Sequence, residues 1–214
     1  MYKRFHWDET IRFTNSLWNE VPKIKKPSRI FVGSTMELFG SWIDPEWMRI
    51  TLECVKKYSQ HTFIFLTKKP ENLKKWEFPN NAWVGVSATD YTTSTHAIDG
   101  LNKVKATVKF ISFEPIKSVC TNQPIRFAKS LQLVGIKWLI LGQQTPVRKS
   151  TEPHIDWVRN IVESADIAKI PVLIKNNLES LLKKHEGWTE GLFVSARKCD
   201  GKEYLRQEFP KEGL

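Results

Sequence analysis

Apolar residues in this chain fall into short continuous runs, separated by stretches with helical spacing. The first run is Arg29-Ile30-Phe31-Val32-Gly33-Ser34, after the breaker Lys26-Pro27-Ser28. Runs of this length between turn residues predict buried strands. Asp44 then stands as a helix N-cap, with Pro45 at the first helical position, where a missing N–H costs nothing. Trp47, Met48, Thr51, Leu52, Val55 and Tyr58 follow at a spacing that turns one helix face toward a sheet. The alternation repeats. Strands are predicted over residues 61–67, 82–87, 108–113, 137–142 and 171–175, and helices over 70–76, 90–104, 125–133 and 153–165.

The strands are apolar almost throughout, as expected when both faces of a parallel sheet are covered. The chain is therefore predicted to be α/β, with parallel β/α repeats forming a partial, open TIM-like barrel of about six strands. A doubly wound sheet is the competing layout. It is weakened because no GxGxxG turn follows any strand and no GxxxxGK[ST] loop is present. Three segments are expected: an amino-terminal helix and basic linker over 1–27, the barrel over 28–177, and a carboxyl-terminal extension packed on the barrel over 178–214. The first holds a predicted helix over 9–17. The last holds a short helix around Leu178, Leu181 and Leu182, then an Asp200-Gly201 turn between polar flanks.

A length of 214 residues with 41% hydrophobic and 26% charged content suits one globular domain. The net charge of +10 favours phosphate-rich partners. The three cysteines, Cys54, Cys120 and Cys199, lie far apart. That spacing argues against a disulfide framework and a structural zinc site, and fits a reducing compartment. No signal peptide or membrane-length apolar run is seen, so a cytoplasmic protein is expected.

In parallel β/α folds, ligands bind where the strands end, because loops converge there without disturbing the core. The residues to read are Ser34 and Thr35, Thr67 and Lys68, Ser87 and Thr89, Glu114, Gln143 and Gln144, and Lys175 with Asn176. Glu114 is the most informative. It ends an apolar strand and precedes Pro115, which puts a carboxylate at the barrel mouth. Two readings stay open: a structural ion pair with Lys68 or Lys175, or a hydrogen-bond acceptor for a ligand's amine or ribose hydroxyls. Lys68 and Lys175 suit a carboxylate or phosphate. Ser34, Thr35, Ser87 and Gln143 suit neutral contacts.

Other chemistry is thinly represented. None of the five histidines lies in an HExxH pattern, and no GxSxG elbow exists. His61 and His154 fall at a strand start and a helix start, both expected at the surface. Of nine tryptophans, Trp47, Trp76, Trp83, Trp138 and Trp157 read as core, while Trp18, Trp42 and Trp188 fall near loops. Exposed aromatics beside lysines would suit single-stranded nucleic acid.

The strand-end segments together resemble a known family. Phe31-Val32-Gly33-Ser34-Thr35-Met36-Glu37-Leu38-Phe39, Gln60-His61-Thr62-Phe63, Leu66-Thr67-Lys68-Lys69-Pro70-Glu71, Trp83-Val84-Gly85-Val86-Ser87 and Phe110-Ile111-Ser112-Phe113-Glu114-Pro115 carry most of the likeness. Asp156-Trp157-Val158-Arg159, Pro171-Val172-Leu173-Ile174-Lys175 and Asp200-Gly201-Lys202-Glu203-Tyr204 extend it. These resemble the phage-encoded gp thirty-seven / gp sixty-eight family, also found on cellular chromosomes and without an assigned function. That family is similar to radical S-adenosylmethionine enzymes, whose three-cysteine run near the amino terminus would hold a [4Fe–4S] cluster. This sequence departs there: no cysteine precedes Cys54, Phe113 stands where cysteine is common, and Gln143-Gln144 replace a Gly-Glu pair. The chain is then either a piece without the cluster segment or a version that has lost the cluster. The resemblance implies a radical-SAM-like barrel binding a small polar ligand, with S-adenosylmethionine the candidate. The alternative is a basic nucleic-acid-binding module.

Overall fold

The computed structural model describes residues 13, 14, 16–34, 36–185, 193–195 and 204–211. Among them is one parallel sheet in sequence order: β1 (Arg29–Val32), β2 (Thr62–Thr67), β3 (Ala82–Ala88), β4 (Val108–Phe113), β5 (Ile136–Leu141) and β6 (Val172–Ile174). The sheet is curled into a half-barrel. Helices α2 (Pro45–Lys57), α3 (Tyr91–Asn102), α4 (Pro124–Val134) and α5 (Ile155–Ala168) alternate with the strands, and a 3-10 turn (Pro70–Lys75) follows β2. Short helices α1 (Ser16–Glu20) and α6 (Glu179–Leu182) flank the repeats. Two further strands, β7 (Val194–Ser195) and β8 (Tyr204–Leu205), form an antiparallel pair. Among the described residues no helix is long and apolar enough to cross a membrane.

Local chemistry sets the element ends. Asp44 accepts the Glu46 N–H at 2.9 Å, with Pro45 opening α2 as expected. Asp90 and Thr93 form a reciprocal capping box, with Thr93 N–H on Asp90 Oδ1 at 2.8 Å and Asp90 N–H on Thr93 Oγ1 at 3.0 Å. Gly135 closes α4 at φ 75°, a left-handed conformation that glycine adopts without a Cβ penalty. The predicted helix over 153–165 begins later, at Ile155, because His154 takes the cap position. The predicted helix over 9–17 and the Asp200-Gly201 turn fall mostly outside the described residues.

The two sheet faces bury different things. Phe63, Phe65, Val84, Val86, Ile111, Phe113, Leu139 and Leu141 pack under the helices in the main core. Alternate residues point into the barrel, where Trp83, Val108, Phe110 and Trp138 form a second buried cluster. Its rings meet edge-on or tilted: Trp83 and Trp138 have centroids 5.7 Å apart, Phe110 and Trp138 5.4 Å. Gly85 makes this floor geometrically feasible, since a Cβ there would run into the Phe110 ring.

A carboxyl-terminal strap seals the floor. Residues 206–208 run antiparallel along the β6 edge, with Ile174 N–H on Arg206 O at 2.7 Å and Glu208 N–H on Val172 O at 2.9 Å. Trp138 Nε1 donates to Glu208 O at 2.9 Å. Phe209 lies on Trp138 on one side and under the Arg29 guanidinium, 3.8 Å from its ring centroid, on the other. The strap thus reaches from β5 and β6 to β1 across the gap a closed barrel would fill with strands.

Candidate functional site

Above this floor the inward residues turn polar. Ser87 on β3 stands beside Ser112 on β4, and Ser112 beside Ile140 on β5. The next position along β4 is Glu114. Its Oε1 meets Lys175 Nζ at 2.6 Å, and its Oε2 accepts from Ser112 Oγ at 3.1 Å. Gly142, just past β5, lies against this carboxylate; a Cβ there would collide with it. Glu114 is mostly covered, with 21% of its side chain exposed, while Lys175 is about half exposed at 48%. Such a pair at the rim contributes about 0–1 kcal/mol. A ligand bearing better-placed partners can therefore open it cheaply.

The structure brings Glu114, Lys175 and Ser87 to one concave surface and adds Ser112 and Gly142, which the strand-end reading missed. Ser112 was findable: it lies two residues before Glu114, and in a strand residues two apart share a face. Ser34 is an exposed turn residue just past β1, and Thr35 lies outside the described residues. Lys68 is exposed past β2, its N–H bonded to Glu37 Oε2 at 2.8 Å. Gln143 is placed differently. It is 3% exposed and tied to Asn177, whose Nδ2 donates to Gln143 O at 2.7 Å and whose carbonyl accepts the Gln143 amide. Its side chain is spent joining the segment after β5 to that after β6, because it sits one step out of phase with the inward residues.

Two carboxylates near the mouth are also committed. Glu37 accepts from Thr67 Oγ1 at 2.5 Å and from the N–H groups of Lys68 and Phe39, pinning the loop after β1 to the end of β2. The Thr93 N–H holds the Asp90 carboxyl below its usual range against an opposing effect of burial, with the Thr93 and Thr89 hydroxyls assisting.

The opposite end of the sheet holds a cavity of about 690 Å³ lined by Lys56, Gln60, His61, Glu77, Phe78 and Asn80 among others. His61, expected at the surface, is 1% exposed here. It packs edge-on against Phe63, and Asn81 Nδ2 binds its carbonyl at 2.9 Å. The loop before β3 folds over the start of β2 and covers it.

Neither described cysteine suits an iron–sulfur cluster. Cys54 is fully buried in α2. Cys120 is buried past β4 with its thiol on Ser118 O at 3.6 Å, and desolvation pushes its pKa up to about 12. A cluster needs accessible thiolates that converge. Among the described residues no group of three or more His, Cys, Asp or Glu side chains could hold a metal ion.

An open parallel β/α half-barrel with a polar mouth at its strand ends is the class this geometry defines. A family model described as "Protein of unknown function (DUF5131)" matches residues 1–207. The chain belongs to that family. No curated protein and no solved structure matches it.

Proposed function

We propose that the half-barrel binds a small polar ligand at its mouth through Glu114 and Lys175, with S-adenosylmethionine the first candidate. The observation that carries this reading is the exchangeable Glu114–Lys175 pair at 2.6 Å, set on the inward face beside the bare backbone of Gly142. An α-amino acid group carries one ammonium and one carboxylate. Its ammonium would replace Lys175 on Glu114, and the freed Lys175 would take the carboxylate. Ser87 and Ser112 supply neutral hydrogen bonds to the rest of the molecule. The strand-end segments resemble a phage-encoded family that is itself similar to radical-SAM enzymes, which supports the same ligand. The two described cysteines, Cys54 and Cys120, do not fit a cluster, so the reading is one of binding and includes no radical step.

The test is a calorimetric titration of S-adenosylmethionine into the purified chain and into Glu114→Gln. Saturable heat at micromolar to low millimolar affinity, weakened at least about tenfold by Glu114→Gln, is expected because losing a charged hydrogen bond costs about 1.5–3 kcal/mol. Equal affinity in both proteins would remove Glu114 from the site. No heat at several temperatures would remove the ligand.

A further inference from the structure

The loops around the mouth carry charge that the small-ligand reading does not use. Lys68 follows β2, Lys117 follows β4, and Arg148 and Lys149 lie between β5 and α5; all four are exposed. Among the described residues none of the four is in an ion pair, whereas two of the neighbouring carboxylates are. Glu114 is paired with Lys175 and Glu152 with Lys184 at 2.8 Å, whereas Glu37 and Asp90 are held by neutral donors and keep their charge. With Glu71, exposed on the 3-10 turn, these two offset part but not all of the charge of the four cations.

Exposed aromatic rings occur at the same end. Trp42, in the loop after β1, is 56% exposed, and Tyr91, the first residue of α3, is 61% exposed. Phe31, 47% exposed on β1, belongs to the floor instead, level with Ile64 and through it with Trp83. The Trp42 ring is not loose. It lies flat enough on Gly40 that a Cβ there would collide with it, so one face is held and the remainder is open. A mobile exposed indole would lose side-chain freedom on stacking; one already seated on backbone loses less.

We infer that the mouth rim binds single-stranded nucleic acid, with Trp42 as a base-stacking platform and Lys68, Lys117, Arg148 and Lys149 as phosphate contacts. Free cations interleaved with exposed rings are what a single strand requires, since its phosphates demand charge and its unpaired bases offer flat faces. A duplex hides those faces. The inference stands independently of the small-ligand reading, because it uses none of the same side chains.

The test is fluorescence anisotropy of a labelled oligothymidylate of about fifteen nucleotides, titrated at several salt concentrations. With four phosphate contacts, log affinity should fall against log salt with a slope of about −3. Arg148→Ala/Lys149→Ala should lower affinity and make the slope shallower by about 1.4. Trp42→Ala should weaken binding about tenfold with the slope unchanged. Lys103→Ala/Lys105→Ala, at the opposite end of the sheet, should stay within about twofold of the parent, and Glu114→Gln should bind the oligonucleotide normally. Thermal melts of each variant establish that it is folded. Equal loss from the two double variants, equal affinity for a duplex of the same length, or no binding at low salt would each overturn the inference.

Discussion

The floor and the mouth of this half-barrel are built from the same strands yet differ in almost every physical respect. The floor is apolar and interlocked: Trp83 and Phe110 are wholly buried, and Trp138 is clasped by the strap through its ring and its N–H. The mouth is polar and open, and its central contact is an ion pair with one partner half exposed. The packed floor holds the strands on whose ends the polar groups of the mouth stand. Stability and binding should therefore respond to different residues, and substitutions can break or sharpen that separation.

The largest effect is expected at the floor. Trp138→Ala removes a ring packed on three others and leaves a cavity, a loss of about 3–5 kcal/mol measured by urea denaturation. Gly85→Ala overpacks the same layer against Phe110 and should cost about 1–3 kcal/mol. A smaller loss of about 1 kcal/mol is expected for Asp90→Ala, which removes the cap of α3. Asp90 also has a pH signature. Its folded-state pKa is lowered, so its contribution is present above the unfolded carboxylate value of about 3.9 and is lost as pH falls through the folded value. Asp90→Ala should flatten that part of the acid limb of the stability profile. The smallest change in stability, within about 1 kcal/mol, is expected for Glu114→Gln, although it should weaken ligand affinity at least about tenfold. A loss from Glu114→Gln as large as that from Trp138→Ala would show that mouth and floor form one cooperative unit.

The strands were legible because burial on both faces leaves an unbroken apolar run that needs no partner to be recognised. Residues 108–113 were read without error at either end. The α2 cap was equally readable, since Asp44-Pro45 acts on its own turn. Gln143 and His61 were not, because their surroundings come from residues distant in sequence: Asn177 for one, and the segment ending at Asn81 for the other. The position of Glu114 followed from its strand, but its choice of Lys175 over Lys68 depended on how far the sheet curls. A packed carboxyl-terminal extension was expected, but its partners were not legible, as nothing local to Phe209 points to Trp138 or Arg29.

That strap also bears on synthesis. Each strand of the half-barrel pairs with the next one made, so the sheet can grow as the chain emerges from the ribosome. The floor cannot. Arg29 is translated early, yet its ring partner is Phe209, and Trp138 waits for Glu208 and Phe209 as well. Until the chain is made through Phe209, the nascent protein exposes one sheet edge and the underside of its inner aromatic cluster. Sealing that underside is the step that converts a growing sheet into a finished molecule, and the interval before it is when a chaperone has most to hold.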